Sequence, residues 1–510
     1  MQTTELVLAS SFEDGLDEAA SFVWGPWLLI PLLFATGLVL TIRLRGVQFR
    51  KLIPAMRLGL LDRSDDDGEG DISQYQALTT ALAATVGVGN IVGVATAISI
   101  GGPGALFWMW VTGLLGMASK YAEAFLGVRY RVTDGKGHMS GGPQRYLERG
   151  IKGPVGKFLA WFFAIAAIIA SFGIGNMTQA NAVSENLENT FNIDPRVTGA
   201  VLFILVGAVL LGGIKAIGQV TSGFVPMMIA IYVIGGLVVL TINASTIPEA
   251  FGLIFTDAFT GTAATGGFVG SGIMLALQMG MARGIFSNES GMGSAAIAAA
   301  AAKTTHPVRQ GLVSMTQTFI DTIIVVSFTG LVIITSGVWD QGEDRAGTMT
   351  SDAFSEALPG HWGGHIVAIS IVFFAFSTLL AWSYYGERNA QRVFGDWATI
   401  PYRIIFTCVV AVGATMELSV AWTFSDLANG LMALPNLIGL LLLSGMIARE
   451  TKAYLDFDPD LRASAKDVEK FLIEQKSPWR MYGTYADDIH GDSDGSTGSS
   501  GSSGPGGVNA

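Results

Sequence analysis

The stretch TTALAATVGVGNIVGVATAISIGGPG, Thr79 to Gly104, decides how this chain is read. It is apolar and long enough to cross a bilayer as a helix, which takes about 20 residues. Its middle is Gly87-Val88-Gly89-Asn90. Two glycines two apart weaken a helix by about 1 kcal/mol each relative to Ala. Asn90 sets a full amide at membrane depth. Irregular backbone is tolerated at that depth only where it is buried in protein or lines a cavity. The stretch therefore reads as a broken helix that holds a ligand. Close helix packing accounts for Gly89-x-x-x-Gly93 taken alone, but it leaves Asn90 without a purpose.

Of the 510 residues, 50% are hydrophobic and 14% are charged. With a mean hydropathy of +0.48, that balance marks a polytopic membrane protein. The lone cysteine, Cys408, excludes an intrachain disulfide and a cysteine metal cluster. A net charge of −11 argues against a nucleic-acid surface. Outward from the opening stretch, apolar spans are expected at about 24–42, 105–128, 157–180, 197–213, 220–242, 264–302, 312–337, 363–386, 400–417 and 422–447, about eleven in all. Basic loops alternate with acidic ones along them. Arg129, Arg131, Lys303, Arg309, Arg388 and Arg392 fall on one side, and Glu185, Glu188, Glu249, Asp257 and Asp340 on the other. The positive-inside rule then sets the N-terminus outside and the C-terminus in the cytoplasm.

The span 264–302 is interrupted too, by Arg283-Gly284-Ile285-Phe286-Ser287-Asn288-Glu289-Ser290-Gly291. Each interrupted span opens a block of five, 77–242 and 264–447. Broken helices in corresponding places of two halves point to inverted repeats with a site at the midplane. Helix N-termini there attract a carboxylate and freed carbonyls attract a cation. The matching ligand is a zwitterionic or anionic solute moving with Na⁺ or H⁺.

Further polar groups fall at depth. Asn176 and Gln179 lie in GIGNMTQAN, and Ser377, Thr378 and Trp382 in FAFSTLLAWSYYG. The two hydroxyls either offer oxygens to a hard cation or bond back to the preceding turn. Asp321 is either a proton site or a hydrogen-bonded strut, and Arg283 and Glu289 read as internally paired charges. Lys120 and Glu123 are expected to be solvated or paired at a helix end. His361 and His365 flank two glycines in a loop-like stretch, a poor metal site. Gly173-x-Gly175 lacks the third glycine and the strand of a dinucleotide fold.

Several phrases together resemble the alanine or glycine:cation symporters, the sodium:alanine symporter group. They are QALTTALAATVGVGNIVGVATAISIGGPGALFWMW (76–110), GGPQRYLERG (141–150), SFGIGNMTQAN (171–181), ARGIFSNESGMGSA (282–295), FIDTIIV (319–325), FAFSTLLAWSYYGE (374–387) and NGLMALPNLIGLLLLS (429–444). The resemblance covers residues 24 to 450. It implies an all-α polytopic protein of the leucine-transporter type, with one extra N-terminal helix before two inverted five-helix repeats. It also implies Na⁺-driven uptake of alanine and glycine. By that similarity Gly87, Gly89 and Asn90 face the substrate from the first broken helix, and Ile285, Phe286 and Ser287 from the second. Gln179, Thr378 and Trp382 complete the pocket, with Trp382 and Phe286 limiting side-chain size. Folds of this type suggest Na⁺ between backbone near Thr85 and Val88 and the hydroxyls of Ser377 and Thr378. Where relatives often carry Thr or Ser, this chain has Val88, which removes one hydroxyl beside the site.

The expected organisation is an external segment 1–22, a transporter domain 23–450, a cytoplasmic segment 451–483 with a short amphipathic helix, and a disordered Gly/Ser tail 484–510. The N-terminal segment lacks the basic start of a signal peptide. The expected partners are a small neutral amino acid, Na⁺ and the lipid bilayer. No organic cofactor and no covalent step are expected. A channel or nutrient sensor on the same fold, and an H⁺-coupled carrier, are the alternatives.

Overall fold

The computed structural model describes residues 15–475 apart from 17, 26, 63–67, 261–268, 343, 344, 359, 361 and 417; for 269–271 and 418–422 it describes backbone alone. His361 and the tail 484–510 thus lie outside the described residues. The apolar stretches fold as helices, named here in chain order as α1 (Leu29–Arg43), α2 (Gln74–Thr85), α3 (Val92–Gly101), α4 (Gly104–Arg129), α5 (Pro143–Gly150), α6 (Pro154–Phe172), α7 (Thr178–Phe191), α8 (Pro195–Leu210), α9 (Gly213–Ile242) and α10 (Ile247–Thr260). There follow α11 (Val269–Asn288), α12 (Ala295–Ala300), α13 (Pro307–Thr318), α14 (Ser327–Ser336), α15 (Met349–Ala357), α16 (Trp362–Phe394), α17 (Thr399–Gly413), α18 (Leu418–Phe457) and α19 (Ala465–Glu474). The last is the amphipathic helix expected near the C-terminus.

Local chemistry sets the starts. Ser73 accepts from the Gln76 amide at 3.1 Å while the Gln76 side chain accepts from the Ser73 amide at 3.0 Å, a capping box that opens α2. Proline occupies the first turn of α5, α6, α8 and α13, where its missing N–H costs nothing.

Among the described residues, five helices are long and apolar enough to cross a membrane, Pro154–Phe191, Gly213–Ile242, Pro307–Ser336, Trp362–Phe394 and Thr423–Phe457. A sixth forms if the pair α2 and α3, bent by 61°, counts as one broken span. Leu29–Arg43 and Pro195–Leu210 are shorter apolar helices. Lipid-type surface lies on outer helices, where Phe158 and Ile165 of α6, Ile204 of α8, Ile234 of α9 and Ile404 of α17 are exposed. In contrast, every residue of α13 is buried, although it carries Arg309, Gln310, Ser314, Thr316 and Gln317. Buried polar groups are retained where they are paired or serve a ligand, and this helix leads directly into the polar interior at Asp321.

One end of the bundle is closed by backbone. Ile72, leading into α2, pairs in parallel with Ala302, just past α12. The wholly buried Arg131 donates to the carbonyls of Ala300, Ala302 and Glu69. Beside it a hairpin of β1 (Val132–Thr133) and β2 (Met139–Ser140) turns through Asp134, which accepts from Arg388 of α16 at 2.8 Å. Burial works against the Asp134 charge, but amides of His138 and Lys136 together with Arg388 outweigh it, and its carboxyl titrates below the ordinary 3.8. A lowered folded pKa supplies stability that is complete above the unfolded value and lost as pH falls through the folded one. Arg388→Ala is expected to cost about 1–2 kcal/mol at neutral pH, because it takes the charged partner from a half-buried carboxylate that keeps its two backbone N–H bonds. It should also flatten the acid side of the stability profile. Thermal melts of both proteins between pH 3 and 7 check this; parallel profiles would mean the pair contributes nothing.

Candidate transport site

In an unbroken helix the Gly87 N–H would bond to the Ala83 carbonyl and the Val88 N–H to that of Ala84. Neither bond forms. Gly87 donates to Asn90 Oδ1 at 2.9 Å, and Val88 to Gln179 Oε1 at 3.3 Å. Two side-chain amides thus draw the N–H groups away, and the carbonyls at the end of α2 are released. Thr378 Oγ1 donates to the released Ala83 carbonyl at 2.9 Å, and Ser377 Oγ reaches it at 3.4 Å. Both hydroxyls also lie within 3.0 Å of the Phe374 carbonyl one turn back. The carbonyl that the two hydroxyls reach is therefore that of Ala83, two residues before the Thr85 expected from the fold. The physical reason is that α2 stays helical through Thr85, so its freed carbonyls belong to the last turn. The Thr85 hydroxyl bonds back to Ala81 at 3.1 Å.

The second break faces the first. After Asn288 the chain turns left-handed at Glu289 (φ 55°) and again at Gly291 and Gly293 before α12 begins. A Cβ on Gly89 would lie 3.0 Å from the Phe286 ring and 3.3 Å from Ser287 Cα, so the two breaks touch. A Cβ on Gly87 would lie 2.6 Å from Thr378 Oγ1, which leaves no room for any other residue there.

Asp321 joins them. It lies in a wide π-helical segment, Phe319–Val326, between α13 and α14; such segments recur at functional sites. Its carboxylate accepts from Asn90 Nδ2 at 2.7 Å, and from Ser287 Oγ and Thr322 Oγ1 at 2.9 Å each. One side chain of the first break and one of the second therefore end on a single carboxylate, all of them buried. Of the two readings left open by sequence, these bonds bring out the hydrogen-bonded strut.

Trp382 closes one side. Its ring rests on Gly175, where a Cβ would lie 2.2 Å from Trp382 Cβ. Gly175 belongs to another π-helical segment, Gly173–Met177, and the Gln179 amide donates to the Ile174 carbonyl there at 2.9 Å. Hence Gly175 is a seat for an aromatic ring, while Gly173 lies against Ser425 and Phe424 of α18. Of the residues expected at the site, Gly87, Gly89, Asn90, Gln179, Phe286, Ser287, Thr378 and Trp382 gather around the two breaks. Ile285 is set apart, bordering a narrow gap with Leu33, Thr112 and Leu115.

Of the two roles left open for Lys120 and Glu123, the structure shows the paired one: they lie 3.9 Å apart and both are completely buried. They brace the second break from α4, since Lys120 donates to the Glu289 carbonyl and Glu123 accepts from the Gly293 amide, each at 3.0 Å. Arg283 is paired, as expected, and its partner is Asp426 of α18, in a two-pronged contact at 3.1 and 3.0 Å. An arginine inside an apolar span demands a carboxylate nearby, and that demand was the signal by which Asp426 could have been found. His365 stacks on Phe191.

Long apolar helices, with two broken helices meeting at a buried polar centre, define a multi-pass membrane transporter. The chain belongs to the Sodium:alanine symporter family, whose profile it matches over residues 9–468. It is 51% identical over 438 residues to the Sodium/alanine symporter AgcS of Methanococcus maripaludis, covering 85% of this chain and 95% of that one. It is 35% identical over 450 residues to the Amino-acid carrier protein AlsT of Bacillus subtilis, covering 88% and 93% respectively. Its fold is similar to that of MhsT solved in complex with L-phenylalanine, with a TM-score of 0.54 at 15% identity over 79% of this chain and 92% of that one. MhsT is a transporter of the leucine-transporter fold. The protein is therefore a cation-coupled amino-acid symporter.

Proposed function

We propose that the protein couples Na⁺ entry to the uptake of alanine and glycine by alternating access. The observation that carries this reading is the release of the Ala83 carbonyl beside Ser377 and Thr378, next to the glycine backbone at Gly87 and Gly89. Carbonyl and hydroxyl oxygens suit a hard cation. Each hydroxyl can keep its bond to the Phe374 carbonyl and turn a lone pair toward the ion. The substrate carboxylate would meet the N–H groups entering α3. Gly87, Gly89, Asn90, Gln179, Phe286, Ser287, Thr378 and Trp382 would enclose it, leaving space for a small side chain. In this reading the chain has eleven spans, two inverted repeats after one extra helix, and its basic, backbone-sealed end in the cytoplasm.

Proteoliposomes test this directly. An inward Na⁺ gradient should drive accumulation of labelled alanine and glycine, and replacing Na⁺ with choline should stop it. Preloaded alanine should accelerate labelled entry, which neither a channel nor a sensor produces. A second reading, H⁺ coupling, is favoured by the two wholly buried carboxylates of Asp321 and Glu289 beside the site. Accumulation driven by a pH gradient without Na⁺ would establish it and exclude obligatory sodium.

A further inference from the structure

Glu289 belongs to no pocket wall described above, yet it is 1% exposed and held on every side. One carboxylate oxygen accepts from Trp382 Nε1 at 2.7 Å, and the other accepts from Ser294 Oγ. Its carbonyl accepts from Lys120 Nζ, and its amide donates to the Ile285 carbonyl at 2.8 Å. Its backbone is left-handed, a conformation uncommon for any residue other than glycine. Trp382 is fixed correspondingly, by Gly175 behind the ring, Tyr385 at its edge with centroids 5.6 Å apart, and Glu289 at its one polar atom.

An indole buried in an apolar wall needs a partner for its N–H. Without one, the polar atom is stranded and the ring gains freedom to turn. The carboxylate that supplies the partner comes from the break in the second helix, three residues beyond Phe286. We propose that Glu289 is the positioning residue that fixes the Trp382 ring across the pocket and thereby sets the largest amino-acid side chain the carrier admits. The contact also makes the aromatic wall travel with the second break. The inference rests on the reading of Trp382 as a wall of the amino-acid pocket.

The test ranks neutral amino acids by side-chain volume as substrates and competitors, using the full chain in proteoliposomes. Glu289→Ala should raise the KM for alanine about tenfold with kcat changed less than about twofold, and leucine should become an effective competitor. Glu289→Gln keeps an acceptor oxygen for the indole and should retain the wild-type ranking. A Glu289→Ala, Trp382→Phe double variant should shift the ranking no further than the larger single effect, since the two residues act through one contact. A wild-type ranking in Glu289→Ala overturns the proposal, as does additivity in the double variant or a Glu289→Gln carrier that behaves like Glu289→Ala. If Glu289→Ala does not fold, Ser294→Ala reads the same contact by loosening the other carboxylate oxygen. A relaxation of about two- to threefold then supports the proposal, and an unchanged ranking overturns it. A wild type that carries no small neutral amino acid would sink the functional reading. The Glu289–Trp382 contact is still read in that case, from the size limit of whichever amino acids stabilise the detergent-purified protein against heat.

Discussion

Asn90→Ala is expected to reduce Na⁺-driven alanine uptake to about 1% of wild type or less while the protein still inserts. Both ends of the Asn90 side chain are in use, Oδ1 holding the Gly87 amide at 2.9 Å and Nδ2 reaching Asp321 at 2.7 Å. Removing Oδ1 strands a buried N–H, at about 1–3 kcal/mol. The alternative for that N–H is to return to the Ala83 carbonyl, which would close the helix and cover the oxygen offered to the cation, so transport suffers by either route. Losing Nδ2 takes a charge-assisted bond from Asp321, worth about 1.5–3 kcal/mol. Together these come to about 2.5–6 kcal/mol, a range that takes in the roughly 2.7 kcal/mol of a hundredfold loss. Labelled uptake, normalised to protein reconstituted, reads the outcome. More than half of the wild-type rate would take Asn90 out of the site.

Asp321→Asn is expected to stop both net uptake and alanine exchange. Three donors converge on this carboxylate, from Asn90, Ser287 and Thr322. An amide of the same size presents one acceptor oxygen and turns an NH₂ group on a donor. The two breaks then lose their common anchor, and the pocket they form loses its shape. Exchange separates this structural failure from the loss of a proton site. A carrier that only needs Asp321 to take up a proton would lose accumulation in the variant and keep exchange, because exchange requires no change of protonation. Retained exchange would therefore count against the strut and in favour of H⁺ coupling.

The sequence shows why these residues stand out and where its reading stops. Gly87-Val88-Gly89-Asn90 and the polar run through Ser287 conflict with the apolar helices around them, so both breaks were visible as violations of helix preference. The seat formed by Gly175 was not visible as such, because a glycine needed for a ring passing behind it looks like any other glycine in a membrane helix. The Ala83 carbonyl was invisible for a different reason. Backbone oxygens carry no letter, and which one is freed depends on where the helix stops within a turn. For Lys120 and Glu123 the sequence leaves open whether the pair is wet or dry, because a pair three residues apart reads the same on either kind of helix face. Their burial and their bonds to the second break decide it.

The sealed end of the bundle carries one more consequence. The segment leading into α2 and the residues following α12 exchange backbone hydrogen bonds, from the amides of Asp71 and Ile72 to the Ala301 carbonyl and from the amide of Lys303 to the Ile72 carbonyl. Arg131 rivets the same two segments from a third direction. At their other ends the broken helices meet on Asp321. A machine with its two arms bolted together at the shoulder and clasped at the hand cannot swing one arm alone. We infer that slippage, the passage of ion without cargo, would need such a one-armed state, and that weakening this short backbone bridge would loosen the coupling.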